Sequence, residues 1–185
     1  GRDLAAVVQQ GRQAARPWRT GPLEACSDQV PVEHQPLDAG QLRQELAAAE
    51  EQLRSHPDDG PARVRAHWSR RMLELLAAGG VDERMTAEVQ AIACGEVVFV
   101  GLSSEAFTRL GRIVRDAVPG RHLLLAATAN AVLGYLGTPE DARGSGYASV
   151  AAARIYGMAT PTPEAGVRWA EAGSLIVRRA AGLAG

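Results

Sequence analysis

Apolar positions along this chain recur at two spacings, 3.6 and 2, and the changes of spacing divide it into elements. Asp3 to Ala15 is predicted to be an amphipathic helix, with Leu4, Val7, Val8 and Gly11 along one side and Gln and Arg along the other; Pro17 ends it. Between Ser27 and Pro36 the period is two, carried by Val30, Val32 and His34, which predicts a strand that Pro31 and Pro36 push toward a sheet edge. Gly40 to Ser55 returns to helical spacing, with Leu42, Leu46, Ala49 and Leu53 as the stripe and Pro57-Asp58-Asp59-Gly60 as the stop. Ala62 to Ala78 is a second such helix, with Val64, Trp68, Met72, Leu75 and Leu76 on one face and Gly79-Gly80 as its C-cap. Residues 39–80 therefore predict an αα-hairpin lying outside any sheet.

The pattern then turns to strands. Thr86 to Ala93 alternates, with Val89, Ala91 and Ala93 opposite Glu88, Gln90 and Ile92. Gly95-Glu96 makes a short turn, and Glu96 to Leu102 is nearly continuous apolar, so a hairpin with a central second strand is predicted. Glu105 to Val118 predicts a helix burying Phe107, Leu110, Val114 and Ala117, and Arg121 to Thr128 a third, buried strand. Gly137 to Gly146 has loop chemistry; Tyr147 to Tyr156 is ambiguous, its alanines favouring helix. Thr162 to Leu183 closes the chain as a helix with Pro163 at N1, Glu164 in the first turn, and Ala165, Trp169, Ala172, Ile176, Ala180 and Leu183 inward. The order predicts an α/β fold, a mixed sheet flanked by helices, in one region spanning 1–185, with residues 85–157 as its core. In such a sheet the turns after Leu102 and Thr128 lie at the carboxyl ends of neighbouring strands, where ligand sites are built.

Composition narrows the function classes. With 185 residues, 46% of them apolar and 22% charged, the chain can bury a real core. A net charge of -1 removes the electrostatic case for nucleic acid or an acidic membrane. No apolar run approaches the roughly 18 residues of a membrane span. Cys26 and Cys94 make neither a disulfide framework nor a zinc-ribbon pattern, and are expected to be small, buried or half-buried residues. The chain starts at Gly1 directly in a helical pattern, as if cut from a longer protein.

Few residues offer chemistry. Glu105 follows Ser103-Ser104 where a strand gives way to the predicted helix; it is either a ligating carboxylate or the acid that complements a helix capped by Ser104. Tyr135 follows Gly134; it is either a functional phenol or a half-buried ring bonded to backbone. Asn130 can cap the strand end or take a left-handed conformation. His34, His56, His67 and His122 are scattered, without HExxH or a close Cys/His set. Ser103, Ser104, Ser145 and Ser149 lack a G-x-S-x-G context, and no glycine-rich loop has phosphate-binding spacing. The catalytic residues stay unknown at this level.

The ordered set of segments resembles the neutral ceramidases. It comprises Glu88-Val89-Gln90-Ala91-Ile92, Glu96 to Leu102, Ser104-Glu105-Ala106-Phe107-Thr108 with Gly111-Arg112, Ala129-Asn130-Ala131 leading to Gly134-Tyr135, Thr138-Pro139-Glu140, Gly146-Tyr147 and Ile155-Tyr156-Gly157. The resemblance covers residues 85–157 and, beyond them, only the order of elements. It implies a zinc-dependent amidohydrolase whose metal is held by two His, one Glu and one Tyr; Glu105 and Tyr135 are the matching carboxylate and phenol. The two His ligands belong to an earlier part of the family's catalytic domain. The resemblance therefore implies that this chain is the C-terminal half of that domain and needs the N-terminal half as partner.

The match has departures. Ser103-Ser104 stand where the family has Pro-Gly, Ala106 is an addition, and Ala148 replaces the Glu after Gly-Tyr. Ceramide and another N-acyl amide or lipid are thus equally open as substrate. The competing reading is a non-catalytic scaffold or interaction subunit with a metal-free site, in which Glu105 only caps its helix.

Overall fold

The computed structural model describes residues 1–80, 85–144 and 146–183; Ser145 lies outside them. Four strands form the main sheet: β1 (Leu23–Pro31), β2 (Thr86–Cys94), β3 (Val97–Leu102) and β5 (His122–Ala126), in the order β1-β2-β3-β5. β1 pairs antiparallel with β2 and β2 with β3, while β3 and β5 run parallel, Val97 opposite His122. The sheet is mixed, flanked by helices, as the sequence predicts.

Alternation in β2 sets the faces. Ala87, Val89, Ala91 and Ala93 are buried, and the residues between them are half-buried. The buried side joins Val98, Val100 and Leu102 of β3 and packs on α4 (Thr108–Asp116) and α7 (Ala165–Ala180). Trp169, in the second turn of α7, is fully buried. The opposite side carries Phe99 and Leu124, 43% and 50% exposed. This corrects the expectation of a buried β5. A continuous apolar run signals two covered faces, but β5 is an edge strand and, among the described residues, helices cover one of its faces.

Three other boundaries move. β1 begins at Leu23, four residues before the predicted start at Ser27, and ends at Pro31; His34 makes only an isolated bridge to Pro161. α7 begins at Ala165, so Pro163 and Glu164 precede the helix. α1 (Arg2–Ala14) forms as predicted, but it buries none of its residues and leaves Leu4 70% exposed.

The helical hairpin stands apart as α2 (Ala39–Ser55) and α3 (Gly60–Ala77). Each helix starts on an aspartate cap: the Gln41 amide donates to Asp38 Oδ1 (2.7 Å), and the Ala62 amide to Asp59 Oδ1 (2.8 Å). Leu42, Trp68 and Met72 build a second small core with Ala159. Cys26 and Cys94 are free and half-buried. Among the described residues no helix is long and apolar enough to cross a membrane.

Candidate functional site

Beyond Leu102 the chain does not turn into a helix. Glu105-Ala106 form a short strand, β4, and the helix begins only at Thr108, with Phe107 at its N-cap. The predicted helix over Glu105–Val118 is therefore corrected at its start, and Ser104 is not its cap. The reason lies across the sheet. The Leu102, Ser104 and Ser103 carbonyls accept from the amides of Ala129 (2.8 Å), Thr128 (3.2 Å) and Leu133 (3.0 Å). The Glu105 amide then donates to Gly134 O (2.8 Å), and the Phe107 amide to Leu136 O (3.0 Å). These bonds hold β4 parallel to β6 (Tyr135–Leu136), with Glu105 opposite Tyr135. Helix-compatible side chains yield to a backbone ladder whose other rail is 30 residues away in sequence.

The second turn supplies its rail through unusual backbone angles. Thr128 and Asn130 take positive φ, 56° and 66°, and Gly134 takes 74°. Asn130 does adopt the left-handed conformation, and its Nδ2 donates to Glu88 Oε2 (3.0 Å).

In a parallel pair, opposed residues point to the same face, so the Glu105 carboxylate and the Tyr135 phenol share one site. The Glu105 carboxylate beside the phenol, acting as a hydrogen-bond acceptor for its protonated form, pushes the Tyr135 pKa up to about 12, with some desolvation adding to it. Tyr156 joins them: its hydroxyl donates to Glu105 Oε1 at 2.5 Å, and its pKa is raised for the same reason. Tyr147 stacks edge-on against Tyr135 with centroids 5.9 Å apart, and Phe107 does so from another side at 6.0 Å. Tyr135 and Tyr156 thus face one carboxylate, and the third tyrosine of the chain, Tyr147, packs against Tyr135. Tyr147 and Tyr156 carried no role in the sequence reading; their signal was that the only tyrosines all follow Glu105 within one span. Beside Tyr135 a groove runs between Phe107, Leu136, Asp141 and Ser149.

The remaining candidates stay apart. Among the described residues no three of His, Cys, Asp and Glu gather as a metal cluster. His56, His67 and His122 are exposed. His34 is half-buried, with neither ring nitrogen hydrogen-bonded, and burial lowers its pKa. Ser104, fully buried, has no hydrogen-bond partner for its hydroxyl. Glu105 takes part in no ion pair among the described residues. A carboxylate and two phenols facing one another, with no cationic side chain among them, are hard oxygen donors suited to part of a metal site.

No protein-family model and no curated protein sequence matches the chain. Solved structures do. The fold is similar to part of a neutral ceramidase. Neutral ceramidase from Pseudomonas aeruginosa matches at a TM-score of 0.50 and 15% identity, over 88% of this chain and 29% of that one. A ceramidase complexed with C2 matches at a TM-score of 0.43 and 20% identity, over 54% of this chain and 16% of that one. The chain thus spans under a third of the length of either ceramidase, and at these identities the likeness is one of fold.

Proposed function

We propose that this chain supplies part of the catalytic domain of a zinc-dependent amide hydrolase of the neutral ceramidase type, acting on ceramide or a related N-acyl amide. One observation carries the reading: the β4–β6 pairing sets Glu105 opposite Tyr135 on one face. These are the two oxygen donors that the resemblance assigns to the metal. The donor chemistry fits: Glu105 and Tyr135 would hold the ion as hard oxygen ligands, with the nitrogen donors delivered by the N-terminal half of the domain. A bound zinc supplies Lewis-acid polarisation of the amide carbonyl and a water of pKa about 7.

The chain's own residues set the conditions for this. Glu105 offers its charge without a competing ion pair. With only that carboxylate facing it, the Tyr135 phenol keeps its proton, so ligation as a phenolate requires that proton to leave. Phe107 and Tyr147 wall the phenol on two sides and limit its rotation.

The test is metal content of the complete protein, measured by elemental analysis. Glu105→Ala and Tyr135→Phe are each expected to lose zinc relative to the parent. Unchanged zinc in both variants removes the ligand assignment, and a zinc-free parent favours the scaffold reading instead.

A further inference from the structure

Tyr156 sits at the end of α6 (Ala152–Ile155), which follows a π-helical turn over Tyr147–Ala151. A helix of four residues has too few hydrogen bonds to hold a side chain steady on its own. What holds Tyr156 is the α2–α3 hairpin. Trp68 Nε1 donates to the Met158 carbonyl at 2.7 Å, and Arg71 Nε to the Gly157 carbonyl at 2.9 Å. On the other side of Tyr156, Arg154 bonds Glu45 of α2 at 2.7 Å, and its guanidinium lies 5.0 Å over the Trp68 ring. The Tyr156 ring also packs on the Gly134 backbone, so close that a Cβ there would touch it at 3.4 Å. The hairpin shares no core with the sheet, yet it grips the segment carrying Tyr156 from both flanks.

We propose that Tyr156 is a positioning residue that fixes the Glu105 carboxylate, and that the α2–α3 hairpin acts on the site through it. The hydroxyl occupies Oε1 and so sets the rotation of the carboxylate toward Tyr135. The functional part of this inference rests on Glu105 being a metal ligand; the mechanical part does not. A hydrogen-bonding partner behind a ligand orients it, and its loss typically weakens metal binding about 10-fold or more. The hairpin residues reach the metal only through Tyr156, so their effects are not additive with its removal.

Two measurements on the complete protein test this. One is the zinc dissociation constant, by competition with a chromogenic chelator. The other is amide hydrogen exchange at Tyr156, Gly157 and Met158 without metal, where each amide is hydrogen-bonded back into its own segment. Tyr156→Phe is expected to weaken zinc about 10-fold while leaving exchange at Gly157 and Met158 near the parent value. Arg71→Met, at an exposed position, and Trp68→Phe are expected to speed exchange there and weaken zinc in the same direction. Arg71→Lys, which keeps a donor, is expected to recover most of both. The double variant Tyr156→Phe/Arg71→Met is expected to bind zinc no more weakly than Tyr156→Phe alone. Parental zinc affinity in Tyr156→Phe overturns the positioning role, and unchanged exchange in Arg71→Met and Trp68→Phe overturns the brace. A parent protein that takes up no zinc overturns the ligand reading and the positioning role with it, while the exchange data decide the brace separately.

Discussion

Gly166, in the first turn of α7, faces the backbone of the strand that carries Tyr135. A Cβ placed there would lie 2.1 Å from the Gly137 carbonyl oxygen and 3.1 Å from Leu110 Cδ1. Gly173, two turns on in the same helix and equally buried, is different: a Cβ would meet Val89 at 3.5 Å and Val114 at 3.9 Å, ordinary contact distances. Alanine is favoured over glycine in a helix interior by about 1 kcal/mol. At Gly166 this gain is opposed by forcing a backbone carbonyl aside, at the upper end of the roughly 1–3 kcal/mol typical of overpacking. Gly166→Ala is therefore expected to destabilise by about 2 kcal/mol net, lowering the melting temperature by about 4–8 °C for a chain of this size. Gly173→Ala keeps the propensity gain and is expected to raise it by about 2–4 °C. Thermal unfolding followed by circular dichroism, with urea unfolding as a second measure, reads both. A Gly166→Ala protein as stable as the parent, or a Gly173→Ala protein that falls as far as Gly166→Ala, would refute the close approach of α7 to the Tyr135 strand.

Ultraviolet titration of the metal-free protein should show Tyr135 ionising near about 12, with Glu105→Gln bringing the transition down toward the ordinary value; a parental transition at the ordinary value disproves the phenol–carboxylate bond. The folded pKa lies above the unfolded one, so the stabilisation is complete below about pH 10 and is lost as pH rises through about 12. Met72→Ala empties a fully buried position in the hairpin core and should cost about 2–5 kcal/mol in urea unfolding; a loss below about 1 kcal/mol contradicts an independent core there. Thr138→Ala removes a buried capping box in which the Thr138 hydroxyl and amide bond Asp141 Oδ2 at 2.8 and 3.1 Å. It should destabilise by about 1 kcal/mol, whereas Thr138→Ser should stay close to the parent.

Much of the fold was legible in advance because its signals are local. The Leu42-Leu46-Ala49-Leu53 stripe, the Pro57 to Gly60 stop, the Gly79-Gly80 stop and the alternation through β2 each need only a few neighbouring residues, and the hairpin and the β2–β3 pair formed where these cues place them. Glu105 and Tyr135 could be singled out from the turns that carry them. The start of α4 was misplaced because Ser-Ser-Glu is good helix-start chemistry in isolation, and only the ladder to Gly134 and Leu136 draws those residues into a strand.

The sequence alone determined the longer helices and the main-sheet strands, their order, and that two turns at strand ends carry a carboxylate and a phenol. The tertiary structure alone decided that Glu105 and Tyr135 stand opposite each other, that Tyr156, 51 residues beyond Glu105, bonds the same carboxylate, and that one face of the sheet is covered. Periodicity and capping act over one or two turns of chain. Parallel register is fixed by hydrogen bonds between segments that no local pattern connects, and the tyrosine cluster depends on that register.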